Sequence, residues 1–195
     1  MHYNYQGLQY NPFYPLQGMY MRGAGSKPTP TPKPMPTKMS PEKWAIARIK
    51  GSPLAPNVKG VVYFKDVQGG VEVYVYVTGL PAYKPGKDNI SPIGPHGFHI
   101  HQNGCCNVDD PKDPFKCAGE HWNPDNQPHG NHAGDFPVLF SNNGISRMSF
   151  FTNRFKVADI IGKSIVIHES PDDYRSQPAG NSGKRIACGV IERLA

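Results

Sequence analysis

The sequence predicts an all-β domain, a sandwich or flattened barrel of eight short strands. Two observations predict it. Glycine and proline, 21 of each in 195 residues, favour frequent turns over long helices. From Trp44 onward, eight short segments rich in β-branched and aromatic residues alternate with turn residues, and no segment makes a convincing helix.

The first three strands are predicted at 44–51, 58–67 and 70–80, with turns at Ser52-Pro53 and near Gly69 between them. The third strand has the clearest pattern. Its valines at every second position alternate with Glu72, Tyr74, Tyr76 and Thr78. This alternation indicates one apolar face and one wetter face.

The other five strands are predicted at 96–102, 136–141, 146–152, 163–169 and 185–192. Between the first and second of these, residues 103–135 have no strand pattern. A stretch of that length inside a compact domain is usually functional or a sign of a wrong assignment. It holds three histidines, Asp135 and three of the four cysteines.

Residues 1–40 differ in composition from the domain predicted at 41–195. They contain five tyrosines and a run with proline at alternate positions (26–38). Proline fixes φ and removes a backbone donor, so this run predicts an extended spacer within a flexible tail. Two interpretations stay open: a disordered leader without a task, and a Tyr-rich anchor to a surface or assembly.

Charge and hydropathy narrow the classes of partner. The formal net charge is +6 and the isoelectric point about 9.1. Lysines and arginines are scattered, which argues against nucleic acid and leaves a small anion as the partner that a positive surface attracts. No apolar run approaches the ~20 residues that span a bilayer, and the N-terminus does not resemble a secretory signal. We expect cytoplasmic synthesis, with cell surface or spore coat as possible destinations.

The histidines point to metal binding. His99 and His101 flank Ile100, so on a strand both imidazoles project from one face and can reach one ion. His168 ends another apolar strand. His121, His129, His132 and Asp135 lie in 103–135, and three imidazoles with one carboxylate suit Zn(II), whereas the remaining imidazoles suit Cu(II). The alternative is a scatter of surface and turn histidines.

Five motifs, in this order, resemble the copper/zinc superoxide dismutases. They are G-P-H-G-F-H-I-H (94–101), A-G-E-H-W-N-P (118–124), H-A-G-D (132–135), I-H-E-S-P-D-D (167–173) and G-K-R-I-A-C-G-V-I (183–191). The resemblance covers roughly residues 44–195. It implies an eight-stranded, immunoglobulin-like Greek-key sandwich with long metal-binding loops.

The resemblance also implies two metal sites and their ligands. Copper is assigned to His99, His101, His121 and His168. Zinc is assigned to His121, His129, His132 and Asp135. Asp172 joins His99 to His129, and His96 is structural. His129 and His132 are only three residues apart, closer than is usual in the family, so Asn126, Asn131 or water is the alternative to His129.

The implied activity is superoxide dismutation by copper alternating between Cu(II) and Cu(I), with zinc in a structural role. His121 bridges the metals and carries a proton, and Arg185 guides the anion. The other class that we consider is a non-catalytic metal-binding structural or coat protein on the same fold. The sequence does not decide between a monomer and a homodimer.

Four cysteines are compatible with disulfides or with metal. The resemblance, to bacterial members in particular, implies a disulfide between Cys106 and Cys188. Cys105 and Cys117 are then left, either as a second disulfide that closes a small loop or as two free thiols.

Overall fold

The computed structural model describes residues 43–194, so the predicted tail and its boundary at 40/41 lie outside the described residues. Seven antiparallel strands form one curled sheet with almost no helix. The strands are β1 (Trp44–Gly51), β2 (Lys59–Val67), β3 (Gly70–Thr78), β4 (Phe98–His101), β5 (Ser146–Thr152), β6 (Ser164–His168) and β7 (Arg185–Arg193). A one-turn helix, α1 (Val157–Ile160), precedes β6. The all-β prediction is confirmed.

The predicted alternation of β3 is confirmed. Val71, Val73, Val75 and Val77 are at most 3% exposed, whereas Tyr74 and Tyr76 point outward. The buried valines pack with Phe64, Ile100 and Ile165 in the main core between the curled faces of the sheet. The loss of water from this apolar surface is what stabilises the sheet.

The strand order is β4-β6-β7-β1-β2-β3-β5. The connections β3 to β4, β4 to β5 and β5 to β6 therefore each cross from one edge region of the sheet to the other, as expected for Greek-key connections. Backbone bridges from His96 to Leu139 and from His99 to Asp135 link β4 to the chain that precedes β5. Residues 135–139 therefore lie beside the β4 edge of the sheet, which is curled into a half-barrel.

The predicted count of eight strands is wrong by one, because 136–141 is not a strand. Only Leu139 in this segment makes a ladder-type pair, with His96, through two hydrogen bonds of 2.8 Å. Pro137 has no backbone N–H, and the N–H of Val138 donates to the hydroxyl of Tyr174 (2.9 Å). The segment runs beside β4 without a continuous ladder.

The long segment 103–135 contains no strand and one 3₁₀ turn, Lys116–Ala118. Its later part lies along β4, where His101 pairs with His121 and His99 with Asp135. Loop histidines are therefore brought beside strand histidines. In the part of the chain that the structure describes, no helix is long and apolar enough to cross a membrane.

Candidate metal centre

The structure brings the predicted ligands into two adjoining groups. In the first group, ring nitrogens of His99, His101, His121 and His168 lie within 4.8 Å of one another. In the second group, the same holds for ligand atoms of His121, His129, His132 and Asp135. The six histidines of the two groups are each at most 7% exposed, and the side chain of Asp135 is 1% exposed.

Strand pairing builds the first group. β4 carries His99 and His101, and β6, antiparallel to it, ends at His168. A register shift between Ile167 and His168, where β6 meets β7, interrupts the regular ladder at His168. Such irregularities re-aim a side chain.

Backbone carbonyls fix the ring orientation of two members of this group. Nδ1 of His101 donates to the carbonyl oxygen of Gly119 (2.9 Å), and Nδ1 of His168 donates to that of Gly183 (3.2 Å). Each ring is then the tautomer with a lone pair on Nε2. These two Nε2 atoms are 3.3 Å apart. Two lone pairs that face each other at this distance repel unless a cation lies between them, so the pair is built for a metal ion.

Asp172 orients one histidine of each group. Its Oδ2 accepts from Nε2 of His99 (2.6 Å) and its Oδ1 from Nε2 of His129 (2.8 Å). The free nitrogen is therefore Nδ1 in both rings. A carboxylate behind a ligand in this way fixes its tautomer and raises its basicity. The backbone N–H of Tyr174 also donates to Oδ1 of Asp172 (2.7 Å) and holds the carboxylate in place.

The second group is centred on Asp135. Oδ1 of Asp135 lies 3.0 Å from Nδ1 of His121 and 3.3 Å from Nδ1 of His132, and Oδ2 lies 3.2 Å from Nδ1 of His129. Burial alone raises the pKa of Asp135, but the hydrogen bond from His121 and the neighbouring imidazoles outweigh it and hold the pKa below its ordinary value. The carboxyl is thus ionised and able to bind a cation.

His129 lies in this group, and neither Asn126 nor Asn131 does. Nδ1 of His129 points into the group although His132 is only three residues away. Asn126 and Asn131 are exposed, and the amide oxygen of Asn131 accepts from Arg154 (3.2 Å). His96, predicted to be structural, lies outside both groups, with Nδ1 2.9 Å from the carbonyl oxygen of His168.

The donor set fits two metal ions. Four buried ring nitrogens have no hydrogen-bond partner: Nδ1 of His99, Nε2 of His121, Nδ1 of His129 and Nδ1 of His132. An unpaired buried polar atom costs about 1–3 kcal/mol. Nδ1 of His99 and Nε2 of His121 are assigned to the first group, and Nδ1 of His129 and Nδ1 of His132 to the second. A metal ion in each group would satisfy all of them.

The protonation state suits the same role. Burial, followed by the neighbouring histidines, lowers the pKa of His99 and His101 well below the ordinary value. Burial also lowers the pKa of His168, to about 3. These rings are neutral at physiological pH, and the neutral imidazole is the form that binds metal.

Arg185 stands beside the first group. Its Nη1 donates to the carbonyl oxygen of Phe115 (2.7 Å) and its Nη2 to that of Gly119 (2.8 Å). The Gly119 carbonyl therefore accepts from both Arg185 and His101. Burial lowers the pKa of Arg185, but an arginine stays protonated at neutral pH. The result is a fixed positive charge, with further N–H donors, next to the first group.

All four cysteines form disulfides. One joins Cys106 in the loop to Cys188 on β7, and the other joins Cys105 to Cys117. The two free thiols considered as an alternative are not seen. The first bond ties the loop to the strand that begins at Arg185.

Sequence analysis missed Gly180, whose importance only the packing reveals. A Cβ at this position would lie 1.9 Å from Oδ1 of Asp172 and 2.4 Å from Nε2 of His129. Gly180 also has a φ of +65°, which a residue with a Cβ rarely adopts. No motif in the sequence signals this contact, because His129 lies in a different loop from the one that holds Asp172 and Gly180.

Gly180→Ala is expected to weaken zinc binding by about 10–100-fold, because the new methyl group displaces Asp172 from His129. Zinc affinity, measured by competition with a chelator, tests this. Gly69→Ala is the matched control, since Gly69 has a φ of +88° and open space around its Cβ position. The control should lose stability but keep zinc affinity. Equal zinc affinities in the two variants would contradict the prediction.

Comparison with known proteins identifies one family. Residues 58–191 match the family model described as copper/zinc superoxide dismutase. A Cu-Zn superoxide dismutase of Deinococcus radiodurans is 37% identical over 155 residues, 71% of this chain and 79% of that protein. A second, from Aquifex aeolicus, is 37% identical over 69% of this chain and 82% of that protein. A third, from Legionella pneumophila, is 34% identical over 70% of this chain and 80% of that protein.

Proposed function

This chain belongs to the copper/zinc superoxide dismutase family, a class of oxidoreductases, and we propose that it dismutes superoxide with copper held by the first group and zinc held by the second. The observation that carries the proposal is His121. It is the one residue shared by both groups, with Nε2 buried and unpaired and Nδ1 beside Asp135. A single imidazole placed in this way can face both metals.

The assigned ligands follow from the ring orientations. Copper would be held by His99 through Nδ1 and by His101, His121 and His168 through Nε2. Zinc would be held by His129 and His132 through Nδ1, by the Asp135 carboxylate and by the other nitrogen of His121. Copper, when bound, supplies one-electron chemistry that oxidises one superoxide to dioxygen and reduces a second.

The residues of the chain supply binding and protons. Arg185 binds the superoxide anion through its N–H groups that are not engaged with Phe115 and Gly119, and it draws the anion toward the first group. Nε2 of His121, whenever it is not bound to copper, would take up a proton from solvent and pass it to the reduced substrate. A second proton, from solvent, completes hydrogen peroxide. Asp135 supports the proton transfer because its carboxylate holds the ring of His121 in place from the other side.

The test is metal content together with rate on the same sample. We expect one copper and one zinc per chain after reconstitution, with superoxide dismutation far above that of the metal-free protein. A structural metal protein, the other class considered, has no need of Arg185 beside the first group. Zinc without copper, or both metals without dismutation, would contradict the proposed enzyme.

Ionic strength tests the role of Arg185. Opposite charges on the enzyme and on superoxide accelerate encounter, so kcat/KM should fall as salt rises. Arg185→Ala should lower kcat/KM by about 10-fold or more and flatten the salt dependence. Arg185→Lys, which keeps the charge, is the control and should keep most of the salt dependence. A flat salt response in the unsubstituted protein would refute electrostatic attraction and leave the metal assignments untouched.

We propose that residues 1–40 attach the domain to a surface or assembly, on the basis of their five tyrosines and the proline run 26–38. The cell surface or a spore coat is the location that this role would suit. Fractionation of cells that carry the full chain or residues 41–195 tests it. Identical fractionation of the two would contradict the proposal.

A further inference from the structure

Both carbonyls that hold Arg185 belong to one short stretch of the loop. Nη1 donates to Phe115 and Nη2 to Gly119, four residues later. The 3₁₀ turn Lys116–Ala118 lies between them, and the N–H of Gly119 donates to the carbonyl oxygen of Lys116 (3.1 Å). The orientation of the guanidinium therefore depends on the shape of residues 115–119.

That shape requires an unfavourable backbone conformation at Phe115. Its φ is +64° and its ψ +24°, in the left-handed region. Bulky residues rarely adopt this region, and it persists only where the surroundings impose it. The Phe115 ring is buried in a small cluster with Ala118, Val166 and Cys188.

The Cys105–Cys117 disulfide is the covalent constraint on this turn. Cys117 lies in the 3₁₀ turn, between the two acceptors, and is bonded to Cys105. Cys105 precedes Cys106, whose own disulfide reaches Cys188 on β7, three residues beyond Arg185. The acceptor turn is thus linked covalently, through adjacent cysteines, to the strand that carries the guanidinium.

The two carbonyl groups that accept from Arg185 differ in the number of other hydrogen bonds that hold their part of the loop in place. Residues flanking Gly119 are also fixed to the end of β4, because the N–H of Asn103 donates to Ala118 (2.9 Å) and that of Gln102 to Glu120 (3.0 Å). The Phe115 carbonyl accepts from the N–H of Ala118 (3.0 Å), but this bond lies within the turn itself. Outside the turn, the backbone of Phe115 makes one hydrogen bond, from its N–H to the carbonyl oxygen of Asn107 (3.1 Å). Loss of the disulfide should therefore release the Phe115 carbonyl more than the Gly119 carbonyl, to which His101 also donates.

We propose that the Cys105–Cys117 disulfide positions Arg185 for anion binding, by holding the Phe115 carbonyl where Nη1 needs it. The resemblance to the family implied only the Cys106–Cys188 bond. The proposal gives a role to the other pair, Cys105 and Cys117. The inference rests on the proposed function, in which Arg185 binds the substrate anion. The disulfide acts through Arg185 and does not touch the substrate.

The test replaces both cysteines together, as Cys105→Ser/Cys117→Ser in the full chain loaded with copper and zinc. A single replacement would leave a thiol that exchanges with the neighbouring Cys106–Cys188 bond. The probe is azide, a small monovalent anion, titrated against the visible absorption of the copper-loaded protein. We expect its Kd to rise by about threefold to tenfold and kcat/KM to fall by a similar factor, with unchanged metal content.

The decisive comparison repeats the cysteine replacement in an Arg185→Ala background. If the disulfide acts through Arg185, it should have no further effect on the azide Kd there. If the bond were purely structural, its loss would either weaken azide binding equally with and without the Arg185 side chain, or leave azide binding unchanged in both cases. Either of those results overturns the inference.

The outcomes also separate this inference from the proposed function. If Arg185→Ala weakens azide binding and the cysteine pair does not, the inference fails and the proposed function stands. If Arg185→Ala itself leaves azide binding unchanged, the assigned role of Arg185 fails and the inference fails with it. Should the serine pair lose metal, Cys105→Ala/Cys117→Ala is measured with the same expectation. Loss of metal in both pairs overturns the inference in favour of a structural bond.

Discussion

His168→Ala is expected to abolish copper binding and to lower the dismutation rate by about 100-fold or more, while zinc stays bound. His168 belongs to the first group only, and its Nε2 faces that of His101 at 3.3 Å. Removal of the ring takes away one ligand and leaves the lone pair of His101 without its counterpart. Metal analysis and the rate of the same reconstituted sample measure the two effects.

His132→Ala is the matched control for this prediction, because His132 belongs to the second group only. It is also a buried histidine, 7% exposed, so the loss of packing is comparable. We expect it to lose zinc, to keep copper, and to retain more dismutation than His168→Ala. If the two variants lost the same metal, or if His168→Ala kept copper, the assignment of the two groups would be wrong.

Removal of the Cys106–Cys188 disulfide should cause the largest loss of stability among single cross-links in the described domain. The bond spans 82 residues, and restriction of the unfolded chain by a loop of this size is worth about 4.5 kcal/mol. Cys106→Ser/Cys188→Ser should therefore lower the free energy of unfolding by about 2–5 kcal/mol. Denaturant unfolding of the metal-free protein measures it without a contribution from metal binding.

Cys105→Ser/Cys117→Ser provides the internal comparison. That bond spans only 12 residues, for which the same model gives about 3 kcal/mol. The expected order of stability is therefore unsubstituted protein, then the variant without the short cross-link, then the variant without the long one. The reverse order of the two variants would show that restriction of the unfolded chain is not the dominant contribution.

Local patterns predicted much of the fold. Alternation along β3 located its buried valines, because successive side chains on a strand point to opposite faces wherever the strand lies. The same periodicity placed His99 and His101 on one face. The predicted strand at 136–141 is absent although the segment is apolar, because Pro137 has no backbone N–H to donate and interrupts a ladder.

The two metal groups depend partly on the sequence motifs and partly on contacts that form only in the folded chain. The resemblance to a family named the ligands, and their side chains come together in the structure as two groups. Distances along the chain gave no sign of which nitrogen each ring would offer. That choice depends on Gly119, Gly183 and Asp172, which accept from rings 15 to 73 residues away in sequence.

By itself, then, the sequence determined the β class, the apolar face of β3, the paired histidines of β4 and the family that the motifs identify. Only the tertiary structure decided the tautomers of the rings, the close approach of Gly180 to Asp172 and His129, and the two carbonyls that hold Arg185. Periodicity and turn chemistry act between near neighbours in sequence. The nitrogens that each ring offers, the approach of Gly180 to His129 and the contacts of Arg185 instead depend on loops and strands that are far apart in sequence and meet only in the folded chain.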